Sequence, residues 1–326
     1  MSEEQLKGWN HLPETPLKIS PVFMWPPKPI DMFKWIWNSW FLISERLIIV
    51  GIAFVCYQYF QPSLEETKTF EFSWVAQMYA RNIVLTLLVA GSLHLWFYTY
   101  SAQGKKLKYD PRPLMVNGKQ FSLGGQVRDN MFWTLGTGVL IWTAYEAIMF
   151  WAMANDHMSI ITFEASRFGF VAIFFLIPLW ESFYFYVVHR IIHIPFLYKR
   201  IHYLHHRNIN VGPWSGMSQH PIEQMLFLGS IFVHILIGGH PVHILFHIQY
   251  YFLTAITTHT GFQGLVVNDK NRLSLGTFHH QMHHRYFECN YGGLEVPWDK
   301  WFGSFHDGTV KENEKMQERR KRIMGK

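Results

Sequence analysis

Four long apolar runs constrain this chain most. They cover roughly residues 40–60, 83–100, 132–154 and 168–188, each 18 to 23 residues long. About 20 helical residues cross a hydrocarbon core of ~30 Å, and in lipid the backbone must satisfy its own hydrogen bonds. The runs therefore predict four transmembrane helices in an all-α integral membrane protein. Charged residues make up only 16% of the chain, against the ~25% usual in soluble domains. A mean hydropathy of +0.01 limits the embedded share to part of the chain. No cleavable signal peptide is expected in the polar, proline-punctuated first 30 residues. The two cysteines, Cys56 and Cys289, form no disulfide framework.

Loop charge predicts the orientation. The 61–74 connection holds three acids and one Lys, whereas 101–130 carries Lys105, Lys106, Lys108, Arg112, Lys119 and Arg128 against two acids. The positive-inside rule then puts the N-terminus, the 101–130 loop and everything after Val188 in the cytoplasm. Residues 1–39 read as a cytoplasmic or interfacial arm that becomes amphipathic around Trp35, Trp37 and Trp40. Residues 40–306 read as the membrane-embedded domain, and 307–326 as a basic tail. Glu45 and Arg46, near one end of the first run, are expected to reach headgroups.

Two shorter apolar pieces follow, 225–239 and 242–256, joined by Gly239-His240-Pro241. Fifteen helical residues rise only ~22 Å, short for a span. They are expected to form a re-entrant or membrane-associated helical hairpin that returns to its starting side.

That parity matters because of the histidines. The chain has 19, and the densest clusters lie on either side of the hairpin. His189 and His193 are four apart at the end of the fourth run, so a helix places both rings on one face. His202, His205 and His206 form an HxxHH, repeated by His280, His283 and His284, with His279 just ahead. In each HxxHH the three-apart pair shares a face and the adjacent ring reaches a second ion. Eight imidazoles exceed one ion's coordination and suit two, with room left for oxygen or water. All-imidazole ligation suits iron, zinc or copper.

The zincin HExxH is absent, since the sequence reads HRIIH, and so are the Glu-x-x-His pairs of ferritin-like di-iron bundles. Clusters at one interface fit dioxygen activation beside a bilayer lipid. Two alternatives stay open: a non-redox membrane metal-binding or metal-transport protein, and a metal-dependent lipid hydrolase. Intramembrane Glu181 and Glu146 are functional candidates by position. His94, His157, His234, His240, His243 and His247 are read as structural or interfacial.

The motifs HRIIH (189–193), HYLHH (202–206), HHQMHH (279–284) and NYGGLEVPWDKWFGSF (290–305), with HPIE (220–223), HTGF (259–262) and QVRDN (126–130), resemble the sterol desaturase/fatty acid hydroxylase superfamily of membrane non-haem di-iron proteins. Within it they look most like the sterol C5-desaturase branch. The resemblance implies that His189, His193, His202, His205, His206, His280, His283 and His284 bind metal, with His259 a ninth ligand. Some acyl hydroxylases have another His four residues after that ninth position, where this chain has Gln263. His220, Glu223, His279, Glu181 and Asp299 are candidates for groups supporting the ligands.

The implied activity is O2-dependent hydroxylation or desaturation of a membrane lipid at two iron ions, with zinc a possible occupant on isolation. No G-x-G-x-x-G site is present and no His-Pro-Gly-Gly of a cytochrome b5 domain, so an external cytochrome b5-like protein or ferredoxin is expected on the basic cytoplasmic face. No nucleic acid partner is expected. Bacterial inner membrane and endoplasmic reticulum both suit such a chain.

Overall fold

The structure is a computed structural model that describes residues 8–324, with side chains left out at 317 and 319–324. Residues 1–7 and 325–326, the extremes of the predicted arm and tail, lie outside the described residues. Four helices are long and apolar enough to cross a membrane: Pro29–Tyr59, Phe72–Thr99, Gln126–Ala154 and Arg167–Ile192.

The first is two helices, Pro29–Trp40 and Glu45–Tyr59. Ser44 breaks the run by capping the second, its hydroxyl accepting from Leu47 N–H. The predicted interfacial aromatic segment is thus a helix of its own ahead of a 15-residue second helix, and the two together make up the 31-residue apolar stretch. Ser166 likewise caps the fourth span through Gly169 N–H. Glu45 and Arg46 depart from expectation. Instead of reaching headgroups, Arg46 pairs with Glu295 and stacks over Trp35 and Trp40, and Glu45 accepts from the Thr257 hydroxyl.

The two shorter pieces form a hairpin at the centre of the bundle. Its first arm, Pro221–Ile237, changes to a 3-10 helix over Gly229–Val233. Its second, Pro241–Thr258, is 18 residues long, ~27 Å of rise. Fourteen of those 18 residues are buried, so it is a core helix rather than a surface one. The tip meets the far end of the bundle: Gly239 N–H donates to Ser159 O, and Ile161 N–H to Gly239 O. Gly238 is required there. Its φ is +77° and an added Cβ would lie 2.7 Å from Ser159 O.

Contacts fix which ends lie together. Tyr57, at the end of the first span, stacks edge-on with His240, while Glu45 at its start meets Thr257. Tyr98, closing the second span, donates to Val211 O and Thr260 O; Gln126, opening the third, donates to Asn208. The histidine-bearing end therefore gathers the starts of the first and third spans and the ends of the second and fourth. The arm packs there too, through Asn10 N–H to Tyr109 O, Leu17 N–H to Asp307 O and Ser20 N–H to Leu294 O. These segments form a cap over one end of the bundle.

Inside the bundle, Arg81 pairs with Glu146. Asn82 donates to Glu146 (3.0 Å) and Thr143 (3.1 Å), and Arg81 donates to Gln61 (2.7 Å). Glu146 is therefore one half of a saturated polar clamp between the second and third spans.

The cap also contains an antiparallel hairpin, Gly264–Val267 with Lys270–Ser274. Asn268 and Asp269 form its tip, both at positive φ (51° and 59°) as a two-residue primed turn demands.

Candidate metal centre

Four pieces of chain bring nine histidines together. The last turns of the fourth span supply His189 and His193, and a short helical stretch over 195–206 supplies His202, His205 and His206. The core helix ends at His259, and Phe278–Tyr286 contributes His280, His283 and His284. They fall into two groups, one of His189, His193, His202, His206 and His283, the other of His205, His259, His280 and His284. Within each group one ring nitrogen per residue lies within 4.8 Å of all the others. The neighbours His205 and His206 belong to different groups, as do His283 and His284, but the expected three-apart pairs are split. The rings that share a group are four apart, His202 with His206 and His280 with His284, because four residues turn a helix only ~40° past a full turn.

The tautomers can be read from the opposite ring edges. Nδ1–H of His189 donates to Tyr291 O, that of His283 to Cys289 O and that of His259 to Ala255 O, each at 2.6 Å. His202 Nδ1–H donates to Glu223 Oε1 at 2.8 Å. With Nδ1 protonated, Nε2 of a neutral ring carries a lone pair. Two of these Nε2 atoms face each other, His189–His202 at 3.2 Å, while the Nε2 of His206 lies 3.0 Å from that of His283 and those of His284 and His280 each lie 3.0 Å from that of His259.

Lone pairs so placed repel unless a cation lies between them. Metal–nitrogen bonds of ~2.0–2.1 Å put adjacent ligands ~3 Å apart. Burial pushes His193 and His205 down to about 3 and His280 to about 4, so the rings are held in the neutral, ligating form.

Glu223 supplies a second test of fit. It is fully buried, its Oε2 has no partner, and burial pushes its carboxyl well above the usual range with no cationic side chain opposing. A cation on His202 would supply the missing charge through the imidazole. The residues present fit a pair of metal ions.

Other candidates stand further off. Asp299 accepts from Tyr291 N–H (2.8 Å), Gly292 N–H (2.7 Å) and the Ser304 hydroxyl (2.7 Å). It thus shapes the loop that offers Tyr291 O to His189. His279 belongs to neither group: it stacks on Phe305, and its Nε2 lies 3.7 Å from Asp299. His220 caps the helix bearing Glu223, its Nδ1 accepting from Ile222 N–H. Gln263 is hydrogen-bonded to His11 of the arm.

Glu181 touches none of the nine. It accepts from Ser230 and lies 2.6 Å from His247 Nε2; His247 Nδ1 lies 2.9 Å from His234 Nε2, and His234 Nδ1–H donates to Gly238 O at 2.9 Å. A carbonyl only accepts, so the donors run in sequence and one further proton must sit between His247 and Glu181. Glu181, a functional candidate by sequence, and His234 and His247, read as structural or interfacial, thus form one hydrogen-bonded chain inside the bundle. The backbone carbonyls of Tyr291, Cys289 and Ala255 have no sequence signature of their own.

A cavity of about 310 Å³ opens along these groups, between the fourth span and the core helix. Its walls include Pro178, Glu181, Phe185 and His189 on the span and Tyr251 and His259 from the core helix and its end. Gly216 closes in on the core helix where a Cβ would lie 2.1 Å from Ala255 O.

Residues 174–304 match the fatty acid hydroxylase family model. Among curated proteins, the Delta(7)-sterol 5(6)-desaturase ERG3 of Saccharomyces cerevisiae is 33% identical over 125 residues, 37% of this chain and 32% of the yeast protein. The lathosterol oxidase of Homo sapiens is 34% identical over 122 residues, 37% of this chain and 40% of the human protein. The match thus spans between a third and two-fifths of these relatives' length. No solved structure matches the chain. Residues 174–304, the stretch similar to the fatty acid hydroxylase family, hold all nine grouped histidines, and the relatives to which the chain is similar carry the names Delta(7)-sterol 5(6)-desaturase and lathosterol oxidase.

Proposed function

We propose that this chain oxidises an unactivated C–H bond of a membrane lipid, by hydroxylation or desaturation, using dioxygen and two iron ions. The observation that carries the reading is the pair of imidazole groups whose lone pairs converge beside a cavity between membrane helices. His189, His193, His202, His206 and His283 would hold one ion, and His205, His259, His280 and His284 the other. Bound iron would supply the dioxygen reduction that no side chain here performs.

The chain's own part is placement. The Tyr291, Cys289 and Ala255 carbonyls and Glu223 lock the ring orientations before any metal arrives. Apolar cavity walls such as Pro178, Phe185 and Phe227 hold one stretch of lipid against the histidines and keep water out. The group of four has one ligand fewer, and three of its four members, His205, His259 and His280, line the cavity, against His189 and His202 of the other five. Substrate and dioxygen are therefore assigned to that side.

Two electrons per turnover come from outside, from a cytochrome b5-like protein or ferredoxin on the basic face of the cap. The loop charges assign the cap to the cytoplasm, at either an endoplasmic reticulum or a bacterial inner membrane. The relatives' names make sterols the first lipids to assay. The test is lipid mass spectrometry on cells with and without the protein, grown aerobically and shifted to anaerobiosis. Expected is a lipid altered by two hydrogens or one oxygen that appears only with oxygen. The same product forming without oxygen would overturn the reading.

A further inference from the structure

A second cleft, of about 720 Å³, contains none of the nine histidines. It lies where the second and third spans emerge into the cap. His94, Phe97 and Tyr98 form one wall, Val127 and Arg128 another, and the 101–116 connection closes it. The second span ends here in a π-helical segment, Leu95–Thr99. Such segments are uncommon and collect at functional sites.

The charges in this cleft are unbalanced. Lys105, Lys108 and Arg128 line it, and no carboxylate does. Nearby acids are committed elsewhere: Asp269 to Lys106, Asp110 to Arg112 and Asp129 to Arg207. Among the described residues, Lys105 and Arg128 have no such partner, and both are exposed. Lys108 is buried, spending one donor on Arg112 O (2.6 Å) with its ammonium 5.6 Å from the Tyr98 ring centre. His94 Nδ1, on the same wall, is buried without a protein partner. The rim is apolar, with Met115 40% and Val116 75% exposed. Exposed apolar side chains at the end of a membrane span, beside unpaired cations, describe a surface half in hydrocarbon and half among headgroups.

We propose that this cleft is a binding site for an anionic phospholipid. Lys105 and Arg128 hold the phosphate, Lys108 lies deeper beneath it, and the first methylenes rest on Met115, Val116 and Phe97. The volume falls within the range of small-molecule sites and holds a headgroup with the start of its chains. An acidic protein would need a broader, flatter face. The concave apolar walls favour the lipid.

The test uses the full chain in detergent, stripped of lipid, with binding read by native mass spectrometry and by fluorescence of labelled lipid. The probes are phosphatidylglycerol and phosphatidylcholine of matched chains. Phosphatidylglycerol is expected to bind preferentially. The double variant Lys105→Ala/Arg128→Ala should lose about 30-fold in affinity, the order expected for two cations at a lipid surface. Lys119→Ala, an exposed lysine of the same loop outside the cleft, should leave binding unchanged. Val116→Asn should weaken binding while leaving every charge in place.

Equal binding of the two lipids, or wild-type affinity in the double variant, overturns the proposal. So does competition by soluble glycerophosphoglycerol as strong as by the lipid, which would make this a simple anion site. Displacement of the lipid by polyglutamate at micromolar concentration would reassign the cleft to an acidic protein.

Discussion

Replacing Glu223 by Gln tests how the two ligand groups are built. The carboxylate touches one ligand, His202, and no member of the four-histidine group. Gln keeps the size and can accept from Nδ1–H through its carbonyl, so the fold should persist. What is lost is the negative charge that strengthens His202 as a donor. Removing such a partner typically costs 10–100-fold in metal affinity, about 1.4–2.7 kcal/mol. The loss should fall on one site only. Competition against a chelator, following metal content, should show one of two binding steps weakened by that factor and the other unmoved. Equal weakening of both steps, or of neither, would refute the reasoning that Glu223 serves one group through one ring.

Further outcomes follow from the same geometry. Asp299→Asn should loosen the 290–292 loop and lower activity severalfold through a misplaced His189, with bound metal reduced rather than abolished; unaltered activity and metal content would remove Asp299 from the account. Glu181→Leu deletes the acceptor for His247 and strands a buried polar chain, so a fall in thermal stability equivalent to about 3 kcal/mol or more is expected, whereas Glu181→Gln should cost less. The metal-free protein should also lose stability on acidification. His193, His205 and His280 titrate near 3 to 4 when folded and near 6.5 when unfolded. The unfolded chain therefore binds more protons below pH ~6.5, and the melting temperature should drop as pH falls from there toward 4. Stability that stays flat over that window would contradict the burial argument.

Much of this arrangement was legible in the sequence because membranes leave few choices. Apolar length found the four spans, and parity put His189 and HHQMHH at the same end. The hairpin's central place was harder to read. Apolar length alone does not tell a lipid-facing helix from one enclosed by others, and only packing shows Pro241–Thr258 buried on nearly all sides. Spacing brought the histidines together and separated the neighbours His205 and His206, but it paired each HxxHH wrongly, since the rings sharing a group are four apart rather than three. It did not find the Tyr291, Cys289 and Ala255 carbonyls, because any residue carries a carbonyl. Glu45 and Arg46 were misread because their partners, Thr257 and Glu295, lie more than 200 residues away. His234 and His247 looked like isolated structural rings because Glu181, which joins them, sits on another helix.

The most direct test compares neighbouring histidines. The wild-type chain loaded anaerobically with ferrous iron should hold two ions, measured by elemental analysis per chain. His283→Ala and His284→Ala should each keep close to one, and Mössbauer spectra should show a different site surviving in each, because adjacent residues serve different groups. One ion in the wild-type chain, or the same site lost in both variants, would contradict the account.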